Sequence, residues 1–216
     1  MKSIFAAMAA AFFIVSVISA DEVRVTGKTM NMMPSRDTMV FTGDALVEHS
    51  SFTLKADRIV TRDAHNEIEA AGNVSVALKA SSDALRGDEG AYSSKTGIGL
   101  LRGNPAYLKS ISAEGKKSEL TAPLLEWSTH TVTAKGESVL KRDDMELKSE
   151  FMNYDRSGGI FTASVVRRLF INEDGHTLIF SAQKMIYSDD TGVARLEGKV
   201  KGRILAAKQT KAGGPK

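Results

Sequence analysis

Residues 54–76 read LKADRIVTRDAHNEIEAAGNVSV, and their spacing decides the fold. Leu54 and Ala56 stand two apart, Ile59 follows three beyond, and Thr61 two beyond that. A cluster of turn formers, Asp63-Ala64-His65-Asn66, comes next, and then Ile68, Ala70, Gly72, Val74 and Val76 alternate with Glu67, Glu69, Asn73 and Ser75. Alternation of period two places like side chains on one face of an extended strand. The segment therefore reads as a hairpin with one dry and one wet face. The step of three between Ala56 and Ile59 interrupts the alternation and predicts an extra residue, a bulge or corner, at Asp57-Arg58.

The same spacing recurs five more times: Val25, Gly27, Met30, Met32; Leu85, Gly87, Gly90, Tyr92; Leu120, Ala122, Leu125, Trp127; Leu147, Ser149, Met152, Tyr154; and Phe180, Ala182, Met185, Tyr187. In four of the six copies a glycine falls sixteen residues past the small position, at Gly43, Gly72, Gly103 and Gly198. The copy beginning at Leu120 reaches Gly136 after fourteen, and the copy beginning at Leu147 has Val165 in that place. Recurrence at roughly thirty residues means stacked supersecondary units. Turn formers separate the halves at Ser94-Lys95-Thr96-Gly97 and Asp189-Asp190-Thr191-Gly192, and Asp174-Gly175 signals a further hairpin. Pro123 sits at the corner position of its copy, where a strand tolerates proline, while Arg102-Gly103-Asn104-Pro105 interrupts the third hairpin. The recurring glycine marks a bend in a curved sheet or a close approach of ligand to backbone. No helical period appears after residue 20. The expected fold is all-β.

Residues 1–20 carry Lys2, an apolar run from Ile4 to Val17, and Ala20 ahead of Asp21-Glu22. That order is the order of an export signal cut after Ala20, with an uncleaved membrane anchor as the alternative. The chain has no cysteine, so the fold relies on no disulfide even in a compartment that permits them. Of a formal charge of +3, Lys2 and six basic residues between Lys199 and Lys216 leave the remainder acidic. Residues 205–216 read as a flexible basic tail, either simply solvated or suited to an anionic lipid surface.

Catalytic chemistry needs converging groups, and the spacing supplies none. His49, His65, His130 and His176 have no metal-ligand spacing, and no nucleophile elbow, phosphate-binding loop or calcium loop is present. The acidic pairs Asp143-Asp144, Glu173-Asp174 and Asp189-Asp190 fall at expected turns and read as solvated turn residues. No cofactor, metal or nucleic acid is implied.

The repeated hairpin has a small-then-acidic step (Ala56-Asp57, Gly87-Asp88, Ser149-Glu150) and a Gly-x-Val tail (Gly72-Asn73-Val74, Gly198-Lys199-Val200). In these it resembles the OstA-like family of periplasmic lipopolysaccharide-transport proteins, of the LptA and LptC kind. The resemblance runs from about Val23 to Ile204. It implies an open β-jelly roll of stacked, V-shaped antiparallel strands over residues 21–204. It also implies a groove for lipopolysaccharide acyl chains and end-to-end contacts with like-folded partners or further copies of the chain. Cleavage after Ala20 favours a soluble LptA-like bridge, and an intact N-terminus an anchored LptC-like subunit of the export transporter.

The residues expected to line the groove are Met30, Met32, Leu54, Ile59, Ile68, Val74, Val76, Leu120, Leu125, Trp127, Val132, Leu147, Met152, Tyr154, Phe161, Phe180, Met185, Tyr187, Leu196 and Val200. Burial is worth about 0.8 kcal/mol per methylene, so a chain of about twelve carbons gains roughly 9 kcal/mol before ordering costs. The alternative for each position is a closed, self-packed core. The terminal strands near Val23–Met32 and Leu196–Ile204 are expected to be unpaired edges open to strand addition. Two other classes compete with the carrier: a structural or adhesive β-solenoid without lipid, and a carbohydrate-active β-helix, which requires acidic residues converging on one strand face.

Overall fold

The repeat folds as a meander. In chain order the elements are Arg24–Thr26 (β1), Thr29–Met33 (β2), a 3-10 turn at Pro34–Arg36, Thr38–Glu48 (β3), Phe52–Arg62 (β4), Glu67–Leu78 (β5), Ala84–Ser93 (β6) and Ile98–Ile111 (β7). They continue with Lys117–Trp127 (β8), Thr131–Arg142 (β9), Met145–Asp155 (β10), Ile160–Glu173 (β11), His176–Ser188 (β12), Ala194–Glu197 (β13) and Lys201–Ala206 (β14). This computed structural model describes residues 23–81, 83–111, 115, 117–142, 145–173 and 176–206. The expected export segment, residues 207–216 of the basic tail, and Asp143, Asp144, Asp174 and Gly175 lie outside the described residues. All fourteen strands join one antiparallel sheet, and β3 to β12 pair in sequence order. β1 and β2 lie end to end against β3, as β13 and β14 do against β12. The hairpin signalled by Asp174-Gly175 is present in its strands, which pair as far as Glu173 and His176. Stacked all-β hairpins are what the repeat predicts, and an open roll of such strands is what the resemblance implies.

Each strand bends near its middle. Lys55 pairs with Ser75 and Arg58 with Ala71, so two residues of β4 face three of β5. The extra residue therefore lies on the return strand, at Gly72-Asn73, and the expectation of a bulge at Asp57-Arg58 is corrected. The reason is conformational. Gly72 and Asn73 have φ of 76° and 50°, a left-handed pair that glycine and asparagine adopt at low cost, and Asn73 Nδ2 donates to Asp57 Oδ2 at 2.8 Å. Asp57 and Arg58 instead take two consecutive outward positions, which accounts for the step of three. Left-handed residues recur at Gly43-Asp44 in β3, Gly136 in β9, Val165 in β11 and Gly198-Lys199 between β13 and β14. In β7 the corner is Gly103-Asn104-Pro105, set between the pairs Arg102–Leu124 and Ala106–Ala122. The proline thus occupies the corner of a continuous strand and does not interrupt the hairpin, as the sequence had suggested, because a corner residue needs no ladder hydrogen bond.

Folding at these corners turns the sheet onto its own apolar face, and three ladders of directly paired residues line the inside. On the arm that precedes the corner in β4, the ladder runs Val25, Val47, Leu54, Val76, Leu85, Leu108, Leu120, Leu140, Leu147, Leu169, Phe180. On the other arm one ladder runs Met30, Phe41, Ile59, Ala70, Gly90, Leu101, Leu125, Ala134, Met152, Ala163, Met185, Leu196. Nearer that arm's tips the third runs Met32, Met39, Thr61, Ile68, Tyr92, Gly99, Trp127, Val132, Tyr154, Phe161, Tyr187, Ala194. Large and small residues alternate along parts of these rows, which lets side chains interdigitate. Gly99 is small because the Trp127 indole lies over it, in the space a β-carbon would take.

Val165 is the exception that tests the corner. A β-branched residue at φ 55° pays a left-handed cost of about 1–2 kcal/mol, against about 0.5–1 kcal/mol of chain entropy for glycine. Val165→Gly should raise the urea midpoint slightly, by up to about 1 kcal/mol in stability, whereas Gly72→Val should lower stability by about 2 kcal/mol or more. A destabilised Val165→Gly would refute this account of the corner.

Candidate functional site

All of the expected lining residues except Val200, which lies between β13 and β14 outside any strand pairing, fall on the inner face. Leu54, Ile59, Ile68, Val74, Val76, Leu120, Leu125, Trp127, Val132, Leu147, Met152, Phe161 and Met185 are buried in one continuous core. Tyr154, Phe180, Tyr187 and Leu196 are half-buried and pack against it. Met30, Met32 and Val200 are exposed, at 56%, 54% and 48%. Their exposure follows from position. Met30 and Met32 pair with Phe41 and Met39 on the inner face, but among the described residues β2 has no neighbour on its far side. Val200 follows Gly198-Lys199 as buried Val74 follows Gly72-Asn73, again at an edge. Among the described residues, the apolar rows therefore run out to both edges of the sheet without a cap.

The tips of the two arms face each other across a mouth, and its closure changes along the roll. At the N-terminal end, His49 and Phe52 from the first arm meet Tyr92 from the second: ring centroids lie 5.3 Å apart for His49–Tyr92 and 4.6 Å for Phe52–Tyr92, both edge-on. His49 also stacks on Phe52 at 4.8 Å and contacts the Ser51 hydroxyl through Nδ1 at 2.7 Å. All three rings are buried.

Farther along, ion pairs replace the rings. Arg156, just past β10 on the second arm, donates from Nη2 to Asp83 Oδ2 at 2.6 Å, and from Nη1 to the Ser128 carbonyl. Asp83 precedes β6 at the tip of the first arm and is buried. Arg142, at the end of β9 on the first arm, donates from Nη1 to Asp189 Oδ1 at 2.7 Å, and its guanidinium lies 5.8 Å from the Tyr187 ring centroid. Asp189 also accepts from the Tyr154 hydroxyl. Burial first, and then this hydrogen bond to a carboxylate, push the Tyr154 phenol up to about 12, so it stays protonated and donating. Asp189 is thus an engaged member of the mouth, which corrects its reading as a solvated turn residue. The correction has a physical cause: Arg142 lies 47 residues away and Asp83 lies 73 from Arg156, so no local spacing announces either pair.

Beneath the Arg142–Asp189 pair lies a cavity of about 150 Å³ between the arms. Leu108, Leu120, Leu140 and Met145 come from the first arm, and Val132, Phe161, Tyr154 and Tyr187 from the second. Among the described residues no three metal-ligating side chains converge. The arrangement offers apolar burial beneath a charged rim.

Because the Tyr154 phenol is raised in the fold, its contribution to stability is complete below pH 10 and is lost as pH climbs from there through about 12. Urea unfolding at stepped alkaline pH should show stability falling across that window, and Tyr154→Phe should flatten the fall. An unchanged slope in that variant would remove Tyr154 from the account.

No protein-family model matches the chain, and no curated protein matches it. Among solved structures it is similar to the crystal structure of LptH, described as the LptA homologous periplasmic component of the conserved lipopolysaccharide transport device from Pseudomonas aeruginosa. The identity is 14%, the match covers 66% of this chain and 82% of that one, and the TM-score is 0.35.

Proposed function

We propose that this chain is a non-enzymatic, periplasmic carrier of lipopolysaccharide that holds acyl chains against the inner face of the roll and passes them along it. The observation that carries this reading is that no described residue caps the apolar rows. A closed structural core would end in polar or covering residues, but among the described residues Met30 and Met32 end the rows at β2 and Leu196 ends one at β13, with exposed Ile204 nearby on β14. Ile204 pairs with Leu178 and is 69% exposed. An edge strand with free backbone groups and an apolar face invites another strand. Head-to-tail addition of a like-folded partner, or of a second copy, would continue the rows across the joint as a heterologous contact that extends into filaments.

Export by residues 1–20 makes the chain a soluble bridge, and retention of that segment makes it an anchored subunit of a lipopolysaccharide exporter. A second reading, a structural or adhesive roll with no lipid, is favoured by one observation: most of the expected lining is already packed against itself. Native mass spectrometry of the protein purified from an envelope extract separates the two. Lipid A masses bound to the folded protein support the carrier. A lipid-free protein that takes up nothing from lipid A vesicles supports the scaffold.

The edges supply an independent prediction. Light scattering should show concentration-dependent assembly of the unmodified chain, and Met30→Asp with Met32→Asp should abolish it. The substitutions should change unfolding stability by no more than about 0.5 kcal/mol, as befits exposed positions. Unchanged assembly would sink the edge model.

A further inference from the structure

A magnitude sets the problem. The carrier reading places an acyl chain inside the roll, yet the apolar cavity between the arms holds about 150 Å³. An engineered apolar cavity of about that size takes a single benzene ring. That apolar cavity is too small for an acyl chain, so the arms must part to admit one, and the residues bridging the arm tips decide where.

The two kinds of closure differ in what opening costs. Parting His49, Phe52 and Tyr92 returns three buried rings to water, and aromatic side chains bury about 150–250 Å² each. Parting Arg142 from Asp189, and Arg156 from Asp83, returns charges to water, which recovers the hydration lost on pairing. The Arg142 and Asp189 side chains are already 22% and 28% exposed, so water reaches them before the arms move. The ion-paired stretch has this apolar cavity directly beneath it, with Asp83, Arg142 and Asp189 on its rim, whereas the space of about 400 Å³ beside His49 and Tyr92 is lined largely by polar groups, among them His65, Asn66 and Ser94.

We propose that the Asp83–Arg156 and Arg142–Asp189 pairs are a latch over a lateral portal. Through this portal the apolar tail of an amphiphile enters the roll between the arms, while the ring-closed N-terminal end of the mouth stays shut. The inference rests on the carrier reading and goes beyond it by assigning the place of admission and the groups that control it. The tail displaces nothing covalent: the arms separate, the four charged side chains rehydrate at the rim, and Leu108, Leu120, Leu140 and Phe161 exchange contacts with one another for contacts with methylenes.

The absence of cysteine makes a direct test possible. Arg142→Cys/Asp189→Cys combined with Asp83→Cys/Arg156→Cys, bridged by a short, reducible bis-methanethiosulfonate reagent, locks the portal. Ser51→Cys/Ser94→Cys, bridged in the same way, locks the ring-closed end. Uptake of pyrene-labelled dodecanoic acid is followed by energy transfer from Trp127, the single tryptophan. The latch predicts that bridging the portal slows uptake by about tenfold or more and that reduction restores it in the same polypeptide, which excludes misfolding as the cause. Bridging the ring-closed end should leave the rate unchanged, and Asp189→Asn should speed uptake. If the unmodified chain takes up the probe and portal bridging has no effect, or ring-end bridging slows uptake equally, the latch is overturned while the carrier stands. If the unmodified chain takes up neither this probe nor lipid A, the carrier reading fails and the latch falls with it.

Discussion

A single sheet must bury its apolar face against something, and this chain has no helix layer or second sheet among its described residues to serve. It solves the problem by giving each return strand more residues at the corner than its outgoing neighbours. That surplus, held in left-handed backbone at most corners, folds the sheet onto itself and makes one dry interior from two arms. Everything else follows from it: the paired rows of leucine, methionine and aromatic residues, the mouth where arm tips meet, and the edges where the rows stop.

The repeat was legible because its apolar spacing is a physical requirement of each hairpin. The arms, the turns at 63–66, 94–97 and 189–192, and the inward residues could all be read from period two. The corner was located within a few residues but on the wrong strand. The step of three in the outgoing strand is conspicuous, whereas the matching step of four from Ala70 to Val74 preserves parity and hides the surplus. The informative signal was the Gly-Asn pair at 72–73, a composition suited to left-handed backbone. Val165 shows why composition alone falls short, since a corner persists there without glycine.

The mouth was illegible for a different reason. Periodicity tells which face a side chain occupies, but not what stands opposite when a sheet closes on itself. Asp83 and Arg156 belong to different repeats, and their partnership exists only because β6 begins on one arm where β10 ends on the other. Likewise Met30 and Met32 were readable as inward-facing, but not as uncovered. Coverage depends on a neighbouring strand, and among the described residues β2 has one only on its β3 side.

The surplus corner residues recur once per hairpin and always on the return strand, so each hairpin begins and ends in the same register relative to its neighbours. Removing a whole hairpin would join leucine rung to leucine rung and corner to corner. Inserting one would lengthen the interior without shifting any residue between faces. The length of the roll is therefore not encoded anywhere in its packing. It is set by how many times the unit is written, and a head-to-tail joint of the kind proposed would be, for the rows inside, the same event as one more repeat within a chain.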